Sequence, residues 1–269
     1  MAGRLEGKVA LVSGAARGQG RSHAVRMAQE GADIIAFDVC QQLPTVGYKM
    51  STPEDLKETA RQVEELDRRI IAREADVRDA AAVRAVVEEG VSELGRLDIV
   101  SANAGIATFV ENAWSMEDDV WEETIAVNLT GVWKTLKAAI PAMINAGNGG
   151  SIIITSSTAG LKGMAGIAHY DSSKHGVVGL MRTLAIELAQ HSIRVNTVHP
   201  TGVNTPMVVN DYMAQFLDAD TGGANIMNLL PVELVEAVDI SNAVLWLASD
   251  EARYVTGVSL PVDAGFMQK

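Results

Sequence analysis

Tyr170 and Lys174 stand four residues apart in the stretch Ser156-Ser-Thr-Ala-Gly-Leu-Lys-Gly-Met-Ala-Gly-Ile-Ala-His-Tyr-Asp-Ser-Ser-Lys174. On a helix that spacing puts both side chains on one face, one turn apart. A free phenol has a pKa of about 10 and is a poor acid-base group near neutrality. A fixed ammonium beside it favours the phenolate and is expected to pull that pKa toward the working range. Ser157 lies thirteen residues before Tyr170 and follows the apolar run Ile152-Ile153-Ile154. A hydroxyl at the end of a strand can face a tyrosine on the next helix and hydrogen-bond the same substrate oxygen. The pair alone is weak evidence, because tyrosine and lysine are common; the surrounding elements must carry the case.

The elements that would hold these groups alternate strand and helix. Val9-Ala-Leu-Val-Ser13 leads into Gly14-Ala-Ala-Arg17-Gly18-Gln19-Gly20 and then a helical pattern with Ala24, Val25 and Ala28 on one face. Strand, glycine turn and helix is the context a dinucleotide fingerprint requires. Its glycines let the backbone approach a pyrophosphate, and the helix start offers unpaired N–H groups. A second strand, Asp33 to Asp38, ends in a carboxylate twenty residues after Gly18, where an acid can take ribose hydroxyls. Further strands are predicted at 70–76, ending in Asp76-Val77, at 97–102, before Asn103-Ala104-Gly105, and at 151–156, 193–198 and 258–262. Ser51-Thr52-Pro53-Glu54-Asp55 carries helix-start signals, and Asp79 caps a helix bearing Val83, Val86, Val87, Val91 and Leu94.

Residues 116–146 read as one long helical stretch with Pro141 as a kink or break. Asn128 inside it is either locally bonded or part of a kink that turns its carbonyl and side chain toward the site. A helix over 168–190 bears Tyr170 and Lys174, and another covers 235–248. Residues 40–69 form a long insertion after the second strand. The irregular region 207–232 is expected to act as a substrate loop, with 106–114 and 161–167 beside it. Apolar strands alternating with helices predict a single α/β domain over 1–269, a doubly wound parallel sheet covered on both faces.

Composition narrows the function. The 269 residues carry a net charge of −12, which argues against a nucleic-acid surface. One cysteine, Cys40, excludes a disulfide framework, and the five histidines have no metal spacing, so no metal is expected. With no membrane-length apolar run and no signal core, the expectation is a cytoplasmic protein.

Taken together, these motifs resemble the classical short-chain dehydrogenase/reductase family over essentially the whole chain. The matching positions are Gly14, Gly18 and Gly20, then Asn103-Ala104-Gly105, Asn128, Ser157, Tyr170 and Lys174. The resemblance implies a Rossmann-type fold with seven parallel strands. It implies that Tyr170 trades a proton with an alcohol or carbonyl oxygen, Ser157 polarises that oxygen, and Lys174 tunes the tyrosine and binds the nicotinamide ribose. Asn128 would hold Lys174 through a water. Cofactor contacts are implied at Gly14, Arg17, Gly18, Gln19, Gly20, Asp38, Asp76, Val77, Asn103, Ala104, Gly105, Tyr170, Lys174, Val203 and Thr205. A homotetramer is implied as well.

Three positions depart from the family pattern. Ser13 replaces a threonine but keeps the hydroxyl. The usual N-P-G reads His199-Pro200-Thr201-Gly202, and the C-terminal turn reads Val262-Asp263-Ala264-Gly265. The insertion with H-P-T-G-V-N-T-P-M is similar to carveol-dehydrogenase-like enzymes, many described as mycofactocin-coupled. That resemblance implies a tightly held NAD and an external redox partner. Asp38 itself favours NAD, since a carboxylate repels the 2′-phosphate of NADP, whereas Arg17 is an NADP-associated feature. The reading is an NAD-dependent oxidoreductase acting on a secondary alcohol or ketone, with an apolar alicyclic substrate. The alternatives are an NADPH-dependent 3-oxoacyl or other ketone reductase, and a non-enzymatic nucleotide-binding sensor.

Overall fold

The structure, a computed structural model, describes residues 3–217 and 228–269. Seven described strands form one parallel sheet: β1 (Val9–Ser13), β2 (Asp33–Asp38), β3 (Ile70–Glu74), β4 (Ile99–Ala102), β5 (Gly150–Thr155), β6 (Ile193–Pro200) and β7 (Ser259–Val262). Their order across the sheet is β3-β2-β1-β4-β5-β6-β7. The order reverses between β1 and β4, and ligands of such sheets bind at the strand C-termini beside that point.

The central strands are buried on both faces, as their unbroken apolar runs require. Alternate residues feed two cores. Leu11, Ile35, Val100 and Ile152 pack with α3 (Ala80–Leu94), α5 (Val132–Ala146) and α6 (Ala168–Leu188) through Val83, Val87, Leu136 and Val177. Ala10, Val12, Ile34, Ile99 and Ile153 pack on the opposite face. There they meet α1 (Gly18–Gln29), α2 (Pro53–Glu64) and α8 (Ala237–Ala248), through Ala24, Met27, Leu56, Ile240 and Val244. This period of two is the pleat itself.

Several boundaries differ from the sequence reading. The first helix begins at Gly18, three residues earlier than its apolar stripe suggests, so the second and third glycines of the loop belong to its first turn. The third strand stops at Glu74, which frees Asp76 and Val77 for the loop at the sheet edge. The long helical stretch expected over 116–146 runs from Asp118 to Ala146 without a break, as α4 (Asp118–Ile125), a π-helical turn at Ala126–Gly131, and α5. Pro141 does not break α5. Its ring lies on the exposed side, and the stripe Leu136, Ala139 and Met143 holds the helix from the core side. Val238, in the first turn of α8, is exposed, 46% of its surface remaining in solvent. In the irregular region a short helix, α7 (Asp211–Leu217), forms; residues 218–227 of that expected loop lie outside the described residues.

Candidate active site

The glycine turn meets its neighbours closely. A Cβ at Gly20 would sit 1.9 Å from the Gly14 carbonyl oxygen and 2.8 Å from Asn103 Nδ2, so nothing larger fits. Gly18 adopts φ +55, a conformation other residues rarely take. The Ser13 hydroxyl accepts from the backbone N–H of Asn103 at 3.0 Å and of Ala104 at 3.1 Å. The hydroxyl retained in place of threonine therefore ties the end of β1 to the end of β4. Asn103 extends the tie: its Nδ2 donates to the Ser13 carbonyl at 3.2 Å, and its Oδ1 accepts from Thr155 Oγ1 at 3.2 Å.

A cleft of about 1190 Å³, counted out to open solvent, runs across these strand ends. All the expected cofactor positions line it: Gly14, Arg17, Gly18, Gln19, Gly20, Asp38, Asp76, Val77, Asn103, Ala104, Gly105, Tyr170, Lys174, Val203 and Thr205. Gln19 Oε1 is buried there without a hydrogen-bond partner. A glycine cradle, an orphaned polar atom and a helix N-terminus at one end fit a dinucleotide. Asp38 stands at the far end. Its Oδ2 accepts from Ala16 N at 2.9 Å and its Oδ1 from the Ser51 hydroxyl at 2.7 Å. Asp76 is held by Arg78, which donates from Nη2 at 2.7 Å and also reaches Glu123 at 2.7 Å.

The chemistry-bearing groups converge at the other end. Lys174 Nζ lies 5.4 Å from the centre of the Tyr170 ring, on the same helix face. It is 3% exposed and donates to the Thr155 carbonyl at 2.9 Å. Ser157 follows β5 in an extended conformation and caps the short turn Thr158–Gly160, accepting from Ala159 N at 3.1 Å. That leaves its O–H available to the Tyr170 oxygen or a substrate oxygen. The Ser156 hydroxyl donates to the Lys174 carbonyl at 3.0 Å and clamps this turn to α6. Asp171, next in the helix, accepts from Met164 N at 2.7 Å and so fixes the 161–167 loop. Burial pushes the Asp171 carboxyl up to about 6.

Asn128 sits in the π-helical turn. Its side chain goes to Ile106: Oδ1 accepts from Ile106 N and Nδ2 donates to Ile106 O, both at 2.8 Å. A Cβ at Gly105 would stand 3.4 Å from both Asn128 Oδ1 and Lys174 Nζ, so both side chains flank Gly105. The π-helical turn lets a fully buried amide satisfy a loop backbone that no strand pairs.

One electrostatic expectation is corrected. The Tyr170 phenol is not drawn down; burial pushes it up to about 12, with the Ser157 hydroxyl opposing. Burial likewise pulls the Lys174 ammonium down to about 8. Loss of water drives both shifts, and the Asp171 carboxylate adds to the rise at Tyr170.

The sequence reading missed several site residues. Leu43, Tyr48, Met50 and Ser51, all from the insertion, line the cleft. Ser51 and Thr52 look alike as helix-start hydroxyls, yet Thr52 makes the cap and Ser51 turns to Asp38. Tyr48 accepts from Ala107 N at 3.3 Å, and Thr45 N reaches Glu123 at 3.1 Å, so the insertion is tied down over the cleft at two further points. No local signal marks such long-range partners.

The fold, the glycine cradle and the Ser-Tyr-Lys cluster define a nucleotide-binding oxidoreductase, and the comparisons agree. A family model described as enoyl-(acyl carrier protein) reductase matches residues 14–267. The chain belongs to the short-chain dehydrogenase/reductase family. It is 51% identical over 271 residues to a (-)-trans-carveol dehydrogenase of Rhodococcus erythropolis, covering 97% of this chain and 98% of the relative. A crystal structure of carveol dehydrogenase from Mycobacterium avium in complex with NAD superposes with a TM-score of 0.97 at 54% identity, covering 99% of this chain and 100% of the other. A short-chain dehydrogenase from Mycobacterium paratuberculosis bound to NAD gives 0.94 at 48% identity, with 99% and 100% covered. Among the described residues, no helix is long and apolar enough to cross a membrane.

Proposed function

We propose that this protein is an NAD-dependent oxidoreductase that interconverts a secondary alcohol and a ketone, with Tyr170 as the acid-base group. The observation that carries the reading is the convergence of Ser157, Tyr170 and Lys174 at one end of a cleft whose other end presents Asp38. NAD, when bound, supplies or accepts the hydride. Tyr170 gives its proton to the carbonyl oxygen during reduction and takes it from the alcohol during oxidation. Ser157 holds that oxygen through its O–H. Lys174, anchored on Thr155 O, keeps a positive charge beside the ring and reaches the ribose hydroxyls. Asn128 fixes the Ile106 loop and would hold Lys174 through a water.

The substrate is an apolar alicyclic alcohol of the carveol kind. Ile106, Met207 and Val208 at the Tyr170 end of the cleft suit such a molecule, and so does the similarity to carveol dehydrogenases. The insertion, tied to Asp38, Glu123 and Ala107, supports a cofactor held tightly and reoxidised in place by an external redox partner of the mycofactocin type. The assembly is a homotetramer in this reading. The test is to desalt the purified protein and add a panel of secondary alcohols, following the fluorescence of bound reduced nicotinamide. Nicotinamide is expected to survive desalting, and alicyclic alcohols are expected to give the largest signal. A silent panel on cofactor-loaded protein rejects the alcohol chemistry, and protein that loses its nicotinamide on desalting rejects tight retention.

Asp38 decides between NAD and NADP. It is 8% exposed and fixed on both oxygens, so it cannot swing away from a 2′-phosphate. Like charges at contact in a partly buried site cost a few kcal/mol, roughly a hundredfold in affinity. Asp38→Ser is therefore expected to raise kcat/KM with NADP relative to NAD by about tenfold or more. An unchanged ratio removes Asp38 from the discrimination.

A further inference from the structure

His199 occupies the place where the family pattern has asparagine, and nothing in the proposed chemistry uses it. Its side chain is fully buried at the end of β6, and both ring nitrogens are engaged. Nδ1 lies 2.7 Å from the Ser157 carbonyl oxygen and Nε2 lies 2.8 Å from Thr197 Oγ1. A carbonyl can only accept, so Nδ1 carries the hydrogen. Burial lowers the His199 pKa to about 4, which keeps the ring neutral, so Nε2 is the acceptor and the Thr197 hydroxyl donates to it. The Ser157 carbonyl thereby fixes the tautomer, and the Thr197 hydroxyl adapts to it.

The position of this link matters. The last backbone bond of the β5–β6 ladder runs from Ser156 N to Val198 O at 2.9 Å. Pro200 has no amide hydrogen with which to continue it. Beyond that point the two strand ends are joined by the His199 ring. The Ser157 carbonyl has one other donor, Gly160 N at 2.9 Å, which belongs to its own turn. His199 alone of these two references Ser157 to the sheet. Pro200 and Thr201, which follow it, line the cleft.

We propose that His199 is a positioning residue that acts through Ser157: its Nδ1–H sets where the Ser157 peptide, and hence the Ser157 hydroxyl, stands against Tyr170. The inference rests on the function proposed above and assigns a residue which that function leaves idle. A small displacement of a polarising hydroxyl costs rate more than binding.

The test uses three variants in the full-length protein. Asn at 199 can place an N–H where Nδ1 stands; Gln can place a polar atom only where Nε2 stands; Leu has neither. With melting temperatures recorded for each, His199→Leu and His199→Gln are expected to lose roughly tenfold or more in kcat with the amount of bound nicotinamide unchanged, and His199→Asn to recover to within about threefold of wild type. In a Ser157→Ala background, His199→Leu is expected to cost less than about twofold, because the group it positions is gone. Equal losses from His199→Leu in both backgrounds, or Gln rescuing as well as Asn, overturn the positioning role while leaving Tyr170 chemistry intact. A Ser157→Ala enzyme with wild-type kcat overturns this inference together with the proposed role of Ser157.

Discussion

Tyr170→Phe is expected to lower kcat in both directions by about a thousandfold or more while nicotinamide stays bound. The change removes one oxygen and keeps the ring that Lys174 borders at 5.4 Å, so the fold and the cofactor cleft have no reason to move. What disappears is the group whose proton balances the hydride. General acid-base assistance is worth about a hundred- to ten-thousandfold, or roughly 3–5 kcal/mol of barrier. Cofactor binding, followed by fluorescence of the reduced form, should be within a few-fold of wild type. Turnover retained at a tenth of the original rate would remove Tyr170 from the chemistry and leave Ser157 as the group to examine.

Lys174→Met should cost at least about a hundredfold in kcat and also change the shape of the pH profile. Alcohol oxidation needs the phenolate, so its rate rises with pH as Tyr170 gives up its proton. Lys174 sets a limit on that rise. Its folded pKa of about 8 lies below the ordinary 10.5, so the ammonium is present below pH 8 and is lost as pH rises through that value. The wild-type profile should therefore bend near pH 8, whereas the methionine variant, with no ammonium to lose, should climb steadily. A bend at the same pH in both proteins would mean that another group titrates there. Lys174→Arg should not restore activity. Lys174 is 3% exposed and its ammonium is held as a point donor on the Thr155 carbonyl, a geometry the planar guanidinium fork does not reproduce.

Motifs set by local spacing were legible in the sequence. The glycine turn, the acid at the end of β2, the Asn103-Ala104-Gly105 strand end and the four-residue gap between Tyr170 and Lys174 all depend on contacts or conformations a few residues apart. Their places in the cleft followed once the strands alternated with helices. The need of Asn128 for a partner was also readable, because a buried amide among apolar neighbours demands one. The continuity of α5 through Pro141 was not. It depends on which side of the helix faces solvent, a fact of packing.

The amino-acid order by itself determined the doubly wound sheet, the family and the candidate site residues, since hydrophobic period and turn chemistry act locally along the chain. Only the tertiary structure decided the electrostatics and the second layer of the site. Tyr170 lies near 12 instead of below 10 because the fold removes its water, and no spacing rule measures that. Ser51 belongs to Asp38, Asn128 to Ile106 and His199 to Ser157 because strands far apart in sequence end side by side.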